Sequence, residues 1–271
     1  MGWRNIPGWQ GSTFGGEVSI NAKGLRDRDH PYDKPPGMKR LLVLGDSFTW
    51  GFGVDQQAMF TEVLERRLVR DGKNWEIINT GVVGWGNDQE YLFLIDEGLR
   101  YEPDIVLLAF YTGNDMTDNH QTNLELIRKP LFINEQLVLT NVPVPLPHES
   151  STPIRNEDPF GIKAAIIGAM KSVCDDAGIP FIVMQFGHSY DLDAAPEEEK
   201  LFADEIEKSL PERLPGLDRI MIDPELDRRG YPLDRLQAGL DDLHWNAVAH
   251  RAVAGILYDR LFAEDQLNAN P

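Results

Sequence analysis

The feature that most constrains the fold is a regular alternation of short apolar runs with amphipathic stretches, which begins at Leu41. Five runs have the length and composition of buried strands: RLLVLG, WEIINT, DIVLLAF, PFIVMQF and RIMID. Between the first two, Phe60, Val63 and Leu64 recur at helical spacing and give one apolar face. This pattern predicts a parallel sheet covered by helices on both faces. We therefore expect a single α/β domain over residues 1–271.

Four later stretches are also predicted to be helices: QEYLFLIDEGL, GIKAAIIGAMKSVCDDAG, PEEEKLFADEIEKSL and NAVAHRAVAGILYDRLF. In the last of them, Asn246 is suited to cap the N-terminus of the helix. Cys174 lies in the second and is the only cysteine, which excludes internal disulfides and multi-cysteine metal sites. We expect its thiol to behave as a small buried apolar group.

Two segments interrupt the alternation. Residues 1–40 are rich in Gly, Asp and Pro around one strand-like piece, EVSINAKG, and are expected to wrap around the domain. Residues 116–158 contain KPLFINEQLVLTNVPVPLP, in which two β-type runs flank the turn-like NEQ. This pattern predicts an inserted hairpin and loop after the third strand. Insertions of that length are typical of lids and binding loops.

The composition excludes several classes of partner. A net charge of −18 repels polyanions, so we expect no binding to nucleic acid or to anionic membrane surfaces. No window approaches the roughly 20 apolar residues of a membrane span, and the opening MGWRNIPGWQGSTFGG lacks the core of a signal peptide. We expect a soluble chain, either cytoplasmic or the soluble part of an exported or anchored protein.

The first strand delivers a serine to its end, in GDSFTWGFG. Open α/β sheets bind their ligands beyond the carboxyl ends of the strands, so Ser47 is a candidate nucleophile. The alternative is a tight strand-to-helix turn in which Asp46 and Ser47 only cap the helix. A phosphate cradle is a third interpretation, but the segment has neither a dinucleotide fingerprint nor a P-loop ending.

A serine nucleophile requires a base, in most cases a histidine that a carboxylate orients. His244 lies just ahead of the last helix, and Asp241, three residues earlier, could accept its ring N–H; Asp242 is a rival for that role. His188 follows a strand and is the rival base. His250 falls inside the last helix, where packing is its expected role.

The remaining histidines, His30, His120 and His148, lie in loops and are left unassigned. Acyl chemistry also needs hydrogen-bond donors for the developing oxyanion. Gly84, after the second strand, offers an unhindered backbone amide, and Asn114, after the third, offers a side-chain amide. Each alone is consistent with an ordinary turn. Together with Ser47 and His244, however, they converge on one edge of the sheet.

These segments resemble the sequence blocks of the SGNH hydrolases, also called GDSL-type esterases and lipases. GDSFTWG is similar to block one with Phe48 in place of leucine, NTGVVG to block two, TGNDM to block three and DDLHWNAVAH to block five. Block three departs at Thr112, where the family usually has glycine, and this puts the shape of that loop in doubt. The resemblance implies a three-layer α/β/α, flavodoxin-like fold.

The resemblance also implies the roles of the site residues. Ser47 would be the nucleophile, His244 the base and Asp241 its partner. The backbone amides of Ser47 and Gly84 and the Asn114 side chain would form the oxyanion hole. We further expect Asp46 and His188 to line the substrate site.

The expected activity is hydrolysis of carboxylic esters through an acyl-serine intermediate, with a short acyl group such as acetyl, possibly carried on a carbohydrate. This chemistry needs no metal or organic cofactor, and the expected partner is a small-molecule or carbohydrate ester. Two alternatives stay open. An O-acyltransferase would use the same triad with a polysaccharide hydroxyl as acceptor, and a non-catalytic carbohydrate-binding domain would keep the fold without activity.

Overall fold

The computed structural model describes residues 1–14, 16–113, 123–124, 127–144, 159–187, 208–232, 235–239 and 242–263. Its strands are β1 (Gln10–Thr13), β2 (Gly16–Ser19), β3 (Lys39–Leu44), β4 (Trp75–Asn79), β5 (Ile105–Tyr111), β6 (Asn123–Leu124), β7 (Ile127–Arg128), β8 (Leu131–Phe132), β9 (Leu139–Thr140), β10 (Phe181–Phe186), β11 (Asp218–Met221), β12 (Gln237–Gly239) and β13 (Asp242–Trp245). Its α-helices are α1 (Ser47–Trp50), α2 (Phe60–Arg70), α3 (Asn87–Asp96), α4 (Pro159–Asp176), α5 (Ile222–Arg228) and α6 (Ala247–Leu261). Residues 208–213 are also helical, and Gln56–Ala58 and Gly98–Tyr101 form 3₁₀ turns.

The five predicted strands form one parallel sheet, in the spatial order β4-β3-β5-β10-β11. Interior strand β3 pairs Leu41 with Ile77 of β4 and with Ile105 of β5. In chain order the strands run 2-1-3-4-5, which is the flavodoxin-like arrangement. The order reverses next to β3, so the carboxyl end of β3 lies at the point where such sheets bind their ligands.

Helices cover both faces of this sheet. Successive side chains of a strand point to opposite faces, so Leu41 and Val43 pack with α2 and α6, and Leu42 and Leu44 pack with α3 and α4. The result is a three-layer α/β/α fold, as predicted. Cys174 of α4 is wholly buried in the second of these cores, where burial raises the pKa of its thiol to about 12.

The last helix begins where the sequence predicts. The Asn246 side chain accepts hydrogen bonds from the N–H groups of Val248 and Ala249 and so caps α6. Two elements near it, the β12–β13 hairpin and helix α5, were not predicted. Helix α5 starts directly after β11, so only the first part of the predicted strand RIMID, up to Met221, is a strand. Because the apolar run continues into a buried helix, the pattern of apolar residues does not show where the strand ends.

The inserted hairpin is present in the part of the insertion that the structure describes. Strand β8 pairs with β9 across the turn at NEQ. At the other end of the chain, β1 and β2 form an antiparallel hairpin, in place of the single strand-like piece predicted there. Among the described residues, no helix is both long and apolar enough to cross a membrane.

Candidate active site

Ser47 is the first residue of α1, and two residues, Gly45 and Asp46, separate it from the carboxyl end of β3. The turn is tight: a Cβ on Gly45 would lie 2.2 Å from Thr49 Oγ1, and Gly51 ends the helix at φ +83°. Asp46 accepts a hydrogen bond from the Phe48 N–H at 2.9 Å and caps α1. Local backbone geometry thus fixes Ser47 at the switch point of the sheet.

His244 lies on β13 and meets Ser47 across 197 residues of sequence. Its Nε2 is 2.8 Å from Ser47 Oγ, within hydrogen-bond range. Strand β13 pairs with β12, and the Asn246 side chain donates to the backbone oxygens of Arg235 and Gln237. The hairpin and the capped start of α6 therefore hold the imidazole in place.

Two phenylalanines pack against the His244 ring. The Phe48 ring centroid is 4.9 Å away at 34°, and the Phe52 centroid is 4.3 Å away, stacked at 24°. Phe48 is buried and Phe52 is half-buried. Sequence reasoning noticed the substitution at Phe48 but assigned no role to Phe52, although GFG follows the serine motif directly. Stacked rings restrict rotation of the imidazole and orient Nε2.

The loop that carries Gly84 lies against the Ser47 turn. Asn79 Nδ2 donates to Thr49 O at 2.7 Å, and the Val82 N–H donates to Gly45 O at 3.2 Å. A Cβ on Gly81 would lie 2.3 Å from Trp50 N, so only glycine permits this approach. The Trp85 N–H donates to Val82 O at 3.1 Å and closes a turn in which Gly84 has φ +73°, a value that favours glycine.

The backbone donors predicted for an oxyanion hole are available. Neither the Ser47 N–H nor the Gly84 N–H donates to any residue that the structure describes. Ser47 is 6 % exposed and Gly84 is half-buried. Such amides can stabilise negative charge on a bound ligand.

Three predicted site residues, Asn114, His188 and Asp241, lie outside the described residues, as do His120 and His148. The backbone of Asp242 belongs to β13, and its side chain is not described. The loop expected to carry Asn114 starts at Thr112, whose Oγ1 donates to Phe186 O at 3.1 Å. The residue that replaces the usual glycine therefore ties the end of β5 to the end of β10.

The remaining predictions on polar residues need one correction. Asp46 was expected to line the substrate site, but its side chain is wholly buried and caps helix α1. It therefore supports the Ser47 turn. His250 packs in the interior: its Nδ1 accepts from the Phe60 N–H at 3.1 Å. Burial lowers the His250 pKa to about 3, so this imidazole is neutral. His30 is also buried, 3.3 Å from Asp27.

The N-terminal segment braces both loops of the site, a role that sequence reasoning missed. The Arg26 guanidinium donates to four backbone oxygens: that of Glu17 in β2, that of Trp50 at the end of α1, and those of Gly51 and Val54 in the loop that follows. Its pKa is lowered to about 10 by burial.

The first residues of the chain reach the second loop. Trp3 Nε1 donates to Val83 O at 3.0 Å, and Trp85 Nε1 donates to Trp3 O at 3.0 Å. Asn5 Oδ1 accepts from Trp50 Nε1 at 3.1 Å. Sequence reasoning could not predict the two tryptophan contacts to Val83 O and Trp3 O, because they are made to backbone oxygens that any sequence presents.

Several solved structures share this fold. The lipase/acylhydrolase from Enterococcus faecalis is 17 % identical, with a TM-score of 0.53 over 81 % of this chain and 93 % of that one. The acetyl xylan esterase AlAXEase is 17 % identical, with a TM-score of 0.50 over 82 % of this chain and 100 % of that one. TesA is 12 % identical, with a TM-score of 0.53 over 81 % of this chain and 96 % of that one.

No curated protein sequence matches the chain significantly. A sequence profile of the GDSL-like Lipase/Acylhydrolase family matches residues 43–252, which include the Ser47 turn, the Gly84 loop and His244. The match covers most of the chain, and the solved structures agree with it in fold. The chain is therefore a member of the GDSL-like Lipase/Acylhydrolase family.

Proposed function

We propose that the protein is a serine esterase that hydrolyses carboxylic esters through an acyl-serine intermediate. The observation that carries this proposal is the 2.8 Å separation between His244 Nε2 and Ser47 Oγ. A serine hydroxyl is a weak nucleophile, and a base at this distance can take its proton as the hydroxyl attacks. The family to which the chain belongs is a family of hydrolases, which agrees with this chemistry.

The proposed reaction has two steps. In the first, the Ser47 proton passes to His244 Nε2 while Oγ bonds to the ester carbonyl carbon. The protonated imidazole then gives that proton to the alcohol as the ester bond breaks. In the second, His244 takes a proton from water as the water oxygen bonds to the acyl carbon. The bond from that carbon to Ser47 Oγ then breaks, the imidazolium returns the proton to Oγ, and the carboxylic acid leaves. The Ser47 and Gly84 amides, with the Asn114 side chain, stabilise the oxyanion in both steps.

We propose that the acyl group is short, with acetyl as the first candidate. Ser47 is only 6 % exposed and lies beside Phe48 and Phe52, so the described surroundings of the hydroxyl offer little open surface. The acetyl xylan esterase among the solved structures is a precedent for such a substrate on this fold, although its 17 % identity supports the fold alone.

The test combines covalent labelling with kinetics. We expect a fluorophosphonate to modify Ser47 and abolish turnover of p-nitrophenyl acetate. Ser47→Ala should lose both labelling and turnover while its thermal unfolding stays close to that of the wild type. Wild-type turnover in Ser47→Ala, or labelling of another serine, would refute the assignment.

The histidine and its carboxylate partner are tested separately. His244→Ala should lower kcat by at least about 1000-fold, because the proton then has no acceptor. Asp241→Asn and Asp242→Asn form a matched pair: we expect Asp241→Asn to lower kcat about 100-fold or more and Asp242→Asn to have a far smaller effect. The opposite ranking would assign the partner role to Asp242.

A further inference from the structure

A row of aromatic rings leads from His244 to the protein surface. Phe52 stacks on the imidazole at 4.3 Å, and Phe14 stacks on Phe52 with centroids 4.4 Å apart and an interplanar angle of 30°. Trp50 meets Phe14 edge-on at 5.9 Å and is itself buried. Phe14 is 50 % exposed, whereas Phe52 is half-buried. We call Phe14 and Phe52 the aromatic row; its outer end is open to solvent.

The chain holds Phe14 in this position against its conformational preference. Phe14 follows β1 at the tip of the N-terminal hairpin with φ +50°, a region that bulky side chains rarely adopt. The hairpin is fixed from both sides: Thr13 pairs with Gly16, and a Cβ on Gly16 would lie 2.6 Å from Val54 O. A phenyl ring is thus presented on rigid support beside the Ser47 turn.

The proposed mechanism indicates which half of the ester, acyl or alcohol, would lie next to these rings. In the proposed mechanism, His244 Nε2 gives its proton to the departing alcohol, so the alcohol half lies on the His244 side of Ser47. The oxyanion donors hold the carbonyl oxygen elsewhere. Of the two phenylalanine rings packed against His244, Phe48 is buried, whereas Phe52 leads outward, because Phe14 stacks on it and is 50 % exposed.

We propose that the aromatic row is a binding subsite for the alcohol half of the ester and that this alcohol is an uncharged pyranose sugar. This inference rests on the esterase function proposed above. A pyranose has a face of C–H groups, which packs on the negative face of a phenyl ring. Its hydroxyl groups need water, and the half-exposed Phe14 leaves water at the edge of the sugar. A wholly apolar alcohol would instead be favoured by an enclosed apolar pocket.

The test compares three acetate esters in two Phe14 variants. The substrates are a mono-O-acetylated methyl β-glucopyranoside, phenyl acetate and ethyl acetate. Phe14→Asn removes the ring and tolerates positive φ, and Phe14→Tyr keeps the ring. We expect Phe14→Asn to lower kcat/KM about fivefold to tenfold for the sugar ester, but less than about twofold for ethyl acetate. Phe14→Tyr should have kcat/KM values close to those of the wild type for all three substrates. Val69→Asn, at a residue 63 % exposed on α2, is the matched control.

Two results would overturn the inference. Equal losses for the sugar ester and ethyl acetate would mean that Phe14 has only a structural role. A loss for phenyl acetate as large as that for the sugar ester would assign the row to aromatic alcohols.

A binding measurement separates this inference from the esterase proposal. In the Ser47→Ala background, the ring protons of methyl β-glucopyranoside should show saturation transfer from the protein, and the additional change Phe14→Asn should reduce that transfer severalfold. If the wild type turned over no ester but this dependence remained, the function would fail and the subsite would stand. No dependence on Phe14, in an enzyme that does cleave esters, would remove the subsite alone.

Discussion

At the scale of single residues, two histidines six positions apart have opposite environments. His244 is partly exposed with its Nε2 against Ser47, whereas His250 is wholly buried and accepts from the Phe60 N–H. The second imidazole closes the N-terminus of α2 and takes no part in the proposed chemistry. The sequence places one histidine before a helix and the other inside it, and from the second position the buried packing of His250 was predicted.

His250 should make stability depend on pH. Its pKa is about 3 in the folded protein and 6.5 as a reference, because burial disfavours the charged form. Between pH 3 and pH 6.5, the His250 side chain therefore binds a proton in the unfolded chain but not in the native protein. The contribution of His250 to the free energy of unfolding is complete above pH 6.5 and falls as the pH drops, by up to about 1.4 kcal/mol per pH unit. His250→Gln keeps an acceptor for the Phe60 N–H and should flatten this slope. Urea unfolding from pH 7 to pH 4 measures it; parallel curves for the two proteins would contradict the assignment.

At the scale of elements, the site depends on two loops that lie against each other after β3 and β4. Asn79, the last residue of β4, and Gly81, in the loop after it, contact the backbone of α1 directly. Contact at this distance leaves no room for a side chain at residue 81. The glycines that look alike in the sequence therefore differ widely in what they tolerate.

A pair of glycine substitutions tests this point. In Gly81→Ala, the new Cβ would lie 2.3 Å from Trp50 N, and the backbone of α1 must shift. We expect a loss of about 3 kcal/mol or more in the free energy of unfolding, together with a fall in kcat. Gly255→Ala, inside α6 with its nearest neighbour 3.7 Å away, should instead stabilise the protein by about 0.5–1 kcal/mol. Urea unfolding checks both, and similar effects of the two changes would contradict the packing described here.

Much of this architecture could be predicted from the sequence, and the parts that could not have a common cause. The five sheet strands, the Asn246 cap and the β8–β9 hairpin follow local rules of periodicity, capping and turn formation. Short elements such as α5 and the β12–β13 hairpin carry too few residues to show a period. The proximity of Ser47 to His244, which lies on β13 outside the five-stranded sheet, was predictable only from the expectation that both reach the carboxyl edge of that sheet.

At the scale of the whole molecule, the family match starts at residue 43, yet the segment before it reaches both loops of the site. Arg26 donates to four backbone oxygens around the loop after α1, and Trp3 donates to Val83 beside Gly84. The N-terminal segment therefore belongs to the structural support of the site. It also presents Phe14 next to Phe52.

Arg26→Lys should show the strength of this support. A lysine ammonium has three donors on one atom and cannot reach four separate oxygens, so carbonyl groups stay buried without partners. We expect a loss of at least about 2 kcal/mol in the free energy of unfolding and a lower kcat with less change in KM. Arg28→Lys is the control, because its ion pairs with Glu65 and Glu76 are half-exposed and should contribute less than about 1 kcal/mol. Equal losses for the two would show that Arg26 has no special role.

The bracing of the Ser47 turn by residues 1–26 bears on how the protein can be shortened. A chain shortened to residues 43–252, the range that the family profile matches, would keep the Ser47 hydroxyl and the His244 imidazole. It would lose the side chains of Arg26, Trp3 and Phe14, which pack around the site loops and the Phe52 ring. Such a product would carry every signature by which the family is recognised and would work poorly. Assays of this protein's activity should therefore keep residues 1–26.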